Sequence, residues 1–549
     1  MTKDRSIILP QSRIDAAHAG KFWQDRTILD YFAENLARHP DRVAVIDHNS
    51  MTGRSTRLTY RELDERATKI AVGLVELGIE RGDVVSCQLP NWWQLIALHL
   101  AATRVGAITN PIMPIFRERE LSFMLGWASS RLFVVPETFR GFDHGALARK
   151  LHQTLPELKH VLVIGRDGKG SFDLLLEQPI NQRSADELLA GRQASPDDLV
   201  EIMYTSGTTG EPKGVMHTSN TLFCNLFQFS KEQHLDSSDV TIMPSPLAHQ
   251  TGFLYGVMNP ILIGGPVVLQ DIWDAAAALD LIEKEGVTFT ISATPFLADY
   301  CEAAKDRPEA VATLKVFVSA GAPIPRELCR RANQILGASI VSMWGMTENG
   351  PASYTLQDDA PEKTYETDGR ADPAMELRIV DAGNKPVPAD SEGKLTVRGA
   401  GMFVGYLKRP DLYGTDEEGW FDTGDLARMD KDGYIRITGR SKDVVIRGGE
   451  NIPVVEIEGL ILKHPAVADV AIVAMPDARL GERACAFVTL RRGASLSYPA
   501  VVAFLQEQRC AKQYIPERLE VIDALPRTPS GKVQKFHLRE MAKSLSAAR

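Results

Sequence analysis

The chain has 549 residues, 44% of them hydrophobic and 24% charged, with a formal net charge of −9. At roughly 100–200 residues per domain this exceeds one compact core, and the profile excludes a disordered, collagen-like or low-complexity protein. The acidic balance argues against a general nucleic-acid binder, although a site for a small polyanion needs only a few local donors.

Residues 1–18 lack the apolar core of a secretory signal, and no apolar run reaches the roughly 18–20 residues of a membrane span. Cys87, Cys224, Cys301, Cys329, Cys485 and Cys510 form no Cys-x-x-Cys pair. Reduced thiols in a cytoplasmic protein fit them better than a disulfide framework or a structural zinc site.

The first clear helix carries its own signals. Thr59 and Glu62 are spaced as a capping box, Leu58 and Leu63 as a hydrophobic staple, and Gly78 marks the stop. A buried strand is expected at 84–89, with others at 42–46, 132–135, 160–164 and 288–292. Helical patterns between them indicate an α/β fold with largely parallel sheets.

Residues 314–318 read as a strand running into the loop Ser319-Ala320-Gly321-Ala322-Pro323. A helix follows from about 325 to 336. The next strand, 339–343, ends in Trp344-Gly345-Met346-Thr347-Glu348. Two loops thus lie at the carboxyl ends of strands joined by one crossover, where open α/β sheets bind ligands. Beyond 380 short strands (394–398, 420–423, 434–438) alternate with glycine turns, and an α+β piece runs from about 444 to the end.

The strongest single feature is Tyr204-Thr205-Ser206-Gly207-Thr208-Thr209-Gly210-Glu211-Pro212-Lys213-Gly214, after the apolar run 199–204. Its glycines admit backbone N–H groups to a polyphosphate, and its hydroxyls and lysine add donors. It is not a P-loop, because the Gly-Lys-Ser/Thr ending is missing. Taken alone, such a cluster reads as a surface turn.

This stretch resembles the signature of the adenylate-forming superfamily, which includes acyl- and aryl-CoA synthetases, adenylation domains and luciferases. Further motifs follow in the family's order up to residue 532, so the resemblance spans essentially the whole chain. It implies a large adenylation domain, 1–441, of parallel-rich sheets flanked by helices with a β-rich subdomain. A small, mobile α+β domain, 442–549, would follow a hinge at Lys442.

The resemblance also implies roles. Thr205, Ser206, Gly207, Thr208, Thr209, Gly210 and Lys213 would hold the ATP phosphates. Gly321, Ala322 and Pro323 would contact adenine, together with the segment Trp344-Gly345-Met346. Thr347 would meet the α-phosphate and Glu348 would hold Mg²⁺, for which a carboxylate is a suitable hard ligand. Trp344 stands where the family commonly has tyrosine, so a role for a phenol hydroxyl is lost there. Asp425 would accept both ribose hydroxyls, beside Arg440. Lys532, in Pro526-Arg527-Thr528-Pro529-Ser530-Gly531-Lys532, would be the catalytic cation, with Thr205 and Glu348 assisting.

His249, Thr294, Ser319, Ala320 and Gly345 are the expected acyl-pocket residues. Arg447, Gly448 and Gly449 would open a channel for coenzyme A after rotation about Lys442. The expectation is an ATP-dependent acid–CoA ligase of the medium-chain, alicyclic or aromatic branch, also suggested by residues 111–120 and 244–252. An aryl acid-AMP ligase serving a separate carrier protein and a catalytically dead nucleotide-binding regulator are the alternatives.

Overall fold

The computed structural model describes all residues except 1–5, 167, 169, 178, 180–181, 206–211, 322–323, 442, 448–449, 478, 509, 529–530 and 548–549. Two large sheets form its main body. One has nine strands, with a parallel centre built from Ser339–Met346, Val316–Ser319, Phe289–Ser292, Thr241–Met243, Val267–Gln270 and Val43–Asn49. The other has six strands in the order Lys213–Thr218, Leu199–Thr205, Ile108–Pro111, Val84–Cys87, Ser130–Pro136 and His160–Ile164. Its pairs are parallel except for the terminal hairpin Leu199–Thr205/Lys213–Thr218.

The largest core joins the two sheets. Val45, Ile291 and Val341 of the nine-stranded sheet share it with Val85, Leu132 and Val200 of the six-stranded one. The helices Tyr60–Glu76 and Trp93–Arg104 lie in this shared layer. Helices Ala275–Glu285, Thr294–Ala304 and Arg326–Leu336 cover the far face of the nine-stranded sheet. Helices Glu118–Ala128 and His144–Thr154 cover the far face of the six-stranded sheet. Parallel strands need both faces covered, which is why so many of their residues are apolar without alternation.

The helix Tyr60–Glu76 forms as its sequence directs. The Glu62 N–H donates to Thr59 Oγ1 at 3.2 Å and the Thr59 N–H to Glu62 Oε2 at 2.8 Å, while Leu58 and Leu63 are both buried. Such a cap contributes about 1 kcal/mol. At its end the Gly78 and Ile79 N–H groups close onto the Val75 and Leu74 carbonyls.

A four-stranded antiparallel sheet follows: Met375–Val380, Gly393–Gly399, Phe421–Met429 and Ile435–Arg440. The C-terminal sheet is built from Val445–Arg447, Glu450–Ile452, Val467–Asp477, Gly481–Leu490 and Arg518–Val521. It has its own apolar clusters, one with the helices Val454–Ile461 and Tyr498–Glu507, the other with Lys535–Ala547.

Two expectations are corrected. The strand expected at 339–343 continues through the Trp344-Gly345-Met346 motif, because these residues pair antiparallel with Gly350–Tyr354. A Cβ on Gly345 would lie 2.0 Å from the Gly350 carbonyl oxygen, so only glycine permits that pairing. The strand expected at 420–423 runs on to Met429. Among the described residues no helix is long and apolar enough to cross a membrane.

Candidate active site

A cleft of about 2490 Å³ runs between the main body, the four-stranded sheet and the C-terminal unit. It is larger than the roughly 300–1,000 Å³ of a pocket for one small ligand.

Asp425 and Arg440 stand opposite each other in adjacent strands. Asp425 is 3% exposed, and its carboxylate is held from both sides. Arg440 Nε lies 2.8 Å from Oδ1, and the Trp344 indole N–H donates to Oδ2 at 2.9 Å. An ionised carboxylate has about four lone-pair sites. One donor on each oxygen leaves one acceptor site on each, the number a vicinal diol needs.

The turn 347–349 that joins the strands Ser339–Met346 and Gly350–Tyr354 is tied down at each residue. His217 Nε2 donates to the Thr347 carbonyl at 2.7 Å. Burial pushes His217 down to about 4, so its ring is neutral and the single N–H belongs on Nε2. Asn225 donates to the Asn349 carbonyl at 2.7 Å. The Phe403 N–H donates to the Glu348 carbonyl at 2.7 Å, and the Tyr406 hydroxyl to Glu348 Oε1 at 2.7 Å. Burial and the adjacent carboxylate raise the Tyr406 phenol, so it keeps the proton it donates.

Thr205 and Lys213 face each other across the hairpin that closes the Ser/Thr/Gly loop, and Lys213 Nζ lies 4.7 Å from the centre of the Tyr406 ring. Ser206, Gly207, Thr208, Thr209 and Gly210 lie outside the described residues, as do Ala322 and Pro323. Gly321 follows the strand Val316–Ser319 at the cleft wall. Among the described residues no group of three His, Cys, Asp or Glu side chains is placed to hold a metal. A lone buried carboxylate such as Glu348 is chemically suited to Mg²⁺, which takes one or two carboxylates and completes its shell with phosphate oxygens and water.

Lys532 enters the same cleft from the C-terminal unit. Its loop is closed by Thr528: the Thr528 N–H donates to the Lys532 carbonyl at 2.8 Å, and the Lys532 N–H to Thr528 Oγ1 at 3.1 Å. Arg527 clamps the Gly531 carbonyl and Asp469. Gly531, at φ +86°, lies against the main body: a Cβ there would lie 3.4 Å from Pro295 Cγ and 3.6 Å from Ala293 Cβ. The Lys532 side chain still meets solvent within the cleft, but the surrounding protein depresses it to about 8. Loss of hydration is the main cause and Arg440 adds to it, against the attraction of Asp425, Asp443 and Glu348.

His249 caps the helix Gln250–Phe253, its Nδ1 accepting the Thr251 N–H at 3.3 Å. Burial, and then Lys532, push it down to about 4, so it is neutral. Thr294, Ala320 and Gly345 line the cleft beside it. Ser319 does not: it is fully buried behind the wall, with its hydroxyl oxygen 3.4 Å from that of Thr294. Arg447 does not line the cleft either, but pairs with Glu517 in the C-terminal unit. Lys442, Gly448 and Gly449 lie outside the described residues.

Sequence reasoning missed most of the apolar wall: Met203, Leu254, Tyr255, Ile291 and Met343. It also missed Glu201, which is fully buried and raised to about 8 by burial, with Gln250 Nε2 donating to Oε2 at 3.2 Å. The available signal was a lone carboxylate inside the apolar run 199–204.

Residues 32–407 match the family model described as AMP-binding enzyme, and 456–532 that described as AMP-binding enzyme C-terminal domain. The chain is 38% identical over 521 residues to the medium-chain fatty-acid–CoA ligase of Escherichia coli strain K12, covering 94% of this chain and 91% of that one. It is 33% identical over 522 residues to the 2,3-dihydroxybenzoate-AMP ligase of Bacillus subtilis strain 168, covering 94% of each. Its fold superposes on ATP-bound MatB from Rhodopseudomonas palustris with a TM-score of 0.82 and 27% identity, over 95% of this chain and 100% of that one. With a cleft that gathers Asp425, Glu348, Lys213 and Lys532, and with relatives along nearly its whole length, the chain belongs to the AMP-binding enzyme family, the adenylate-forming superfamily of acid-activating enzymes.

Proposed function

We propose that the protein is an ATP-dependent carboxylic acid–CoA ligase acting on a medium-chain, alicyclic or aromatic acid. The observation that carries the reading is the convergence of Lys532, Asp425–Arg440 and Glu348 on one cleft with an apolar wall at Met203, Leu254, Ile291 and Met343. A carboxylate is a poor acylating agent because its leaving group would be oxide. Attack of that oxygen on the α-phosphorus of ATP, with pyrophosphate leaving, puts AMP on it and makes it a good one.

In this reading the acid lies against the apolar wall with its carboxylate beside neutral His249 and the Lys532 ammonium. Two anions must meet, so the charge of Lys532 at the contact with the α-phosphate lowers the barrier. Loss of one such contact typically costs ~3–4 kcal/mol, or roughly 10²–10³ in rate. Asp425 and Arg440 orient the ribose, while Thr205, Lys213 and the loop between them hold the phosphates. Glu348 would hold Mg²⁺, which when bound neutralises phosphate charge. The thiol of coenzyme A then attacks the mixed anhydride and expels AMP. Rotation near Lys442 would withdraw Lys532 for that step and bring in Arg447, Gly448 and Gly449, dividing the chain into 1–441 and 442–549. Six free thiols, five of them buried, suit a reducing cytoplasm.

The 33%-identical 2,3-dihydroxybenzoate-AMP ligase supports a second reading, an aryl-adenylating enzyme that delivers to a carrier protein. Pyrophosphate release over octanoate, cyclohexanecarboxylate, benzoate and dihydroxybenzoate, with and without coenzyme A, separates the two. Turnover that needs coenzyme A and yields a thioester supports the ligase. A single adenylate per enzyme despite coenzyme A favours the carrier-protein reading, and no release with any acid would sink both.

A further inference from the structure

The segment 400–407 is buried along its whole length and lies in no helix. Its backbone groups therefore need partners other than a regular helical ladder. On one side they serve the nucleotide end of the cleft. The Phe403 N–H donates to the Glu348 carbonyl, Tyr406 holds the Glu348 carboxylate, and Val404, Gly405 and Leu407 bond to Met216 and Gly214 in the strand that leaves the phosphate loop.

On the other side the same segment is gripped by residues 8–23. Arg13, in the helix Gln11–Ala19, directs its guanidinium onto three successive or nearly successive carbonyls. Nη1 donates to the Phe403 carbonyl at 2.9 Å, and Nη2 to the Ala400 carbonyl at 3.1 Å and to the Met402 carbonyl. The Tyr413 hydroxyl also lies 3.3 Å from Nη1. The Trp23 indole N–H reaches the Ala400 carbonyl at 3.2 Å, and the Ile8 N–H reaches the Val404 carbonyl at 2.7 Å. Phe403 is the relay, since its carbonyl accepts from Arg13 while its N–H donates to Glu348.

We propose that Arg13 is a positioning residue for the metal–phosphate end of the nucleotide site, acting through Phe403 and the 400–407 segment to set Glu348. A planar fork with five donors suits several carbonyls at once, which an ammonium or an apolar side chain does not. The adenosine end is built differently, from Asp425, Arg440 and Trp344, with no link through Arg13 among the described hydrogen bonds. This arm therefore discriminates between ligands: it matters for a triphosphate with its Mg²⁺ and not for AMP. The inference rests on reading Glu348 and the 205–213 loop as the phosphate end.

The test is calorimetric binding of AMP and of the Mg²⁺ complex of α,β-methylene ATP, which does not turn over. Arg13→Met is expected to weaken the triphosphate analogue about tenfold and shift its Mg²⁺ dependence upward, with AMP affinity held within twofold. Tyr406→Phe, which cuts the other tie to Glu348, should give the same selective loss, and Arg13→Lys should recover only part of it. Equal weakening of both ligands, or no weakening of either, overturns the proposal. Should Arg13→Met not fold, Trp23→Phe removes one hydrogen bond to the same segment. A two- to threefold loss confined to the triphosphate then supports the proposal, and an unselective effect overturns it. Wild-type protein that binds neither ligand would overturn the nucleotide-site reading and this inference with it. Wild type that binds both, with unselective variants, overturns this inference alone.

Discussion

The Trp344 indole nitrogen donates to Asp425 Oδ2 at 2.9 Å across the gap between the nine-stranded and four-stranded sheets. A tryptophan at this position had removed any role for a phenol, yet the indole N–H keeps a donor there and aims the buried carboxylate. Asp425 is thereby held by one neutral and one charged donor, Arg440 being the other.

Trp344→Phe is expected to leave one buried carboxylate oxygen without its donor. The cost of such a loss is ~1–3 kcal/mol, so AMP affinity should fall by roughly 5- to 150-fold at most. Asp425→Ala should cost more, because it also strands the Arg440 charge. Titration of AMP into each variant checks both. An unchanged dissociation constant for Trp344→Phe would show that the indole serves packing alone.

Lys532 titrates near 8 rather than at its ordinary 10.5. In the proposed mechanism adenylation uses its ammonium, so kcat/KM for ATP, which reports the free enzyme, should fall as pH rises through about 8. Stability should move the other way. Between about 8 and 10.5 the unfolded chain holds the proton more tightly than the folded one, so this lysine's contribution to stability rises with pH over that interval. Lys532→Gln should lose roughly 10²–10³ in adenylation rate and with it the alkaline limb. A pH profile of the same shape in the variant would assign the limb to another group.

Gly531 adopts φ +86°, a backbone conformation that L side chains rarely take, although a Cβ there would only reach ordinary contact with Pro295. Gly531→Ala is expected to hinder docking of the Lys532 loop through backbone strain, and to slow adenylation by about tenfold, which corresponds to ~1.4 kcal/mol. The thioester-forming step, started from preformed acyl-adenylate, should be nearly unaffected. Equal slowing of both steps would show that the loop is not used selectively in the first.

How much of this was legible in the sequence depended on the kind of signal. The cap at Thr59–Glu62 and the strand at 160–164 were readable because their determinants are local. The positions of Asp425, Arg440, Glu348 and Lys532 were readable only through the resemblance, since taken singly each is an ordinary loop or surface residue. The apolar wall was not readable. Leu254 and Tyr255 stand in a π-helical segment, 254–258, inside a continuous helical stretch, and Ile291 and Met343 are indistinguishable in sequence from core residues. Arg13 was hidden for another reason: its partners are main-chain carbonyls nearly 390 residues away, which leave no trace in side-chain pattern.

Glu201 makes the last prediction, because it is a carboxyl where the fold has room for only a neutral group. It is fully buried in the strand Leu199–Thr205, its one side-chain hydrogen bond among the described residues comes from Gln250, and burial raises it from an ordinary 4.5 to about 8. Below 4.5 both folded and unfolded chains carry the proton, and the residue costs nothing electrostatically. As pH rises toward 8 the unfolded chain ionises while the folded one does not, so stability is lost over that window. At pH 7 the deficit is on the order of 3 kcal/mol. Glu201→Gln keeps the shape and the hydrogen bond to Gln250 without the titration. Its unfolding midpoint in urea should exceed wild type at pH 8 and approach it at pH 5.5. A difference that stays constant with pH would mean that Glu201 ionises in the folded protein as readily as in the unfolded chain.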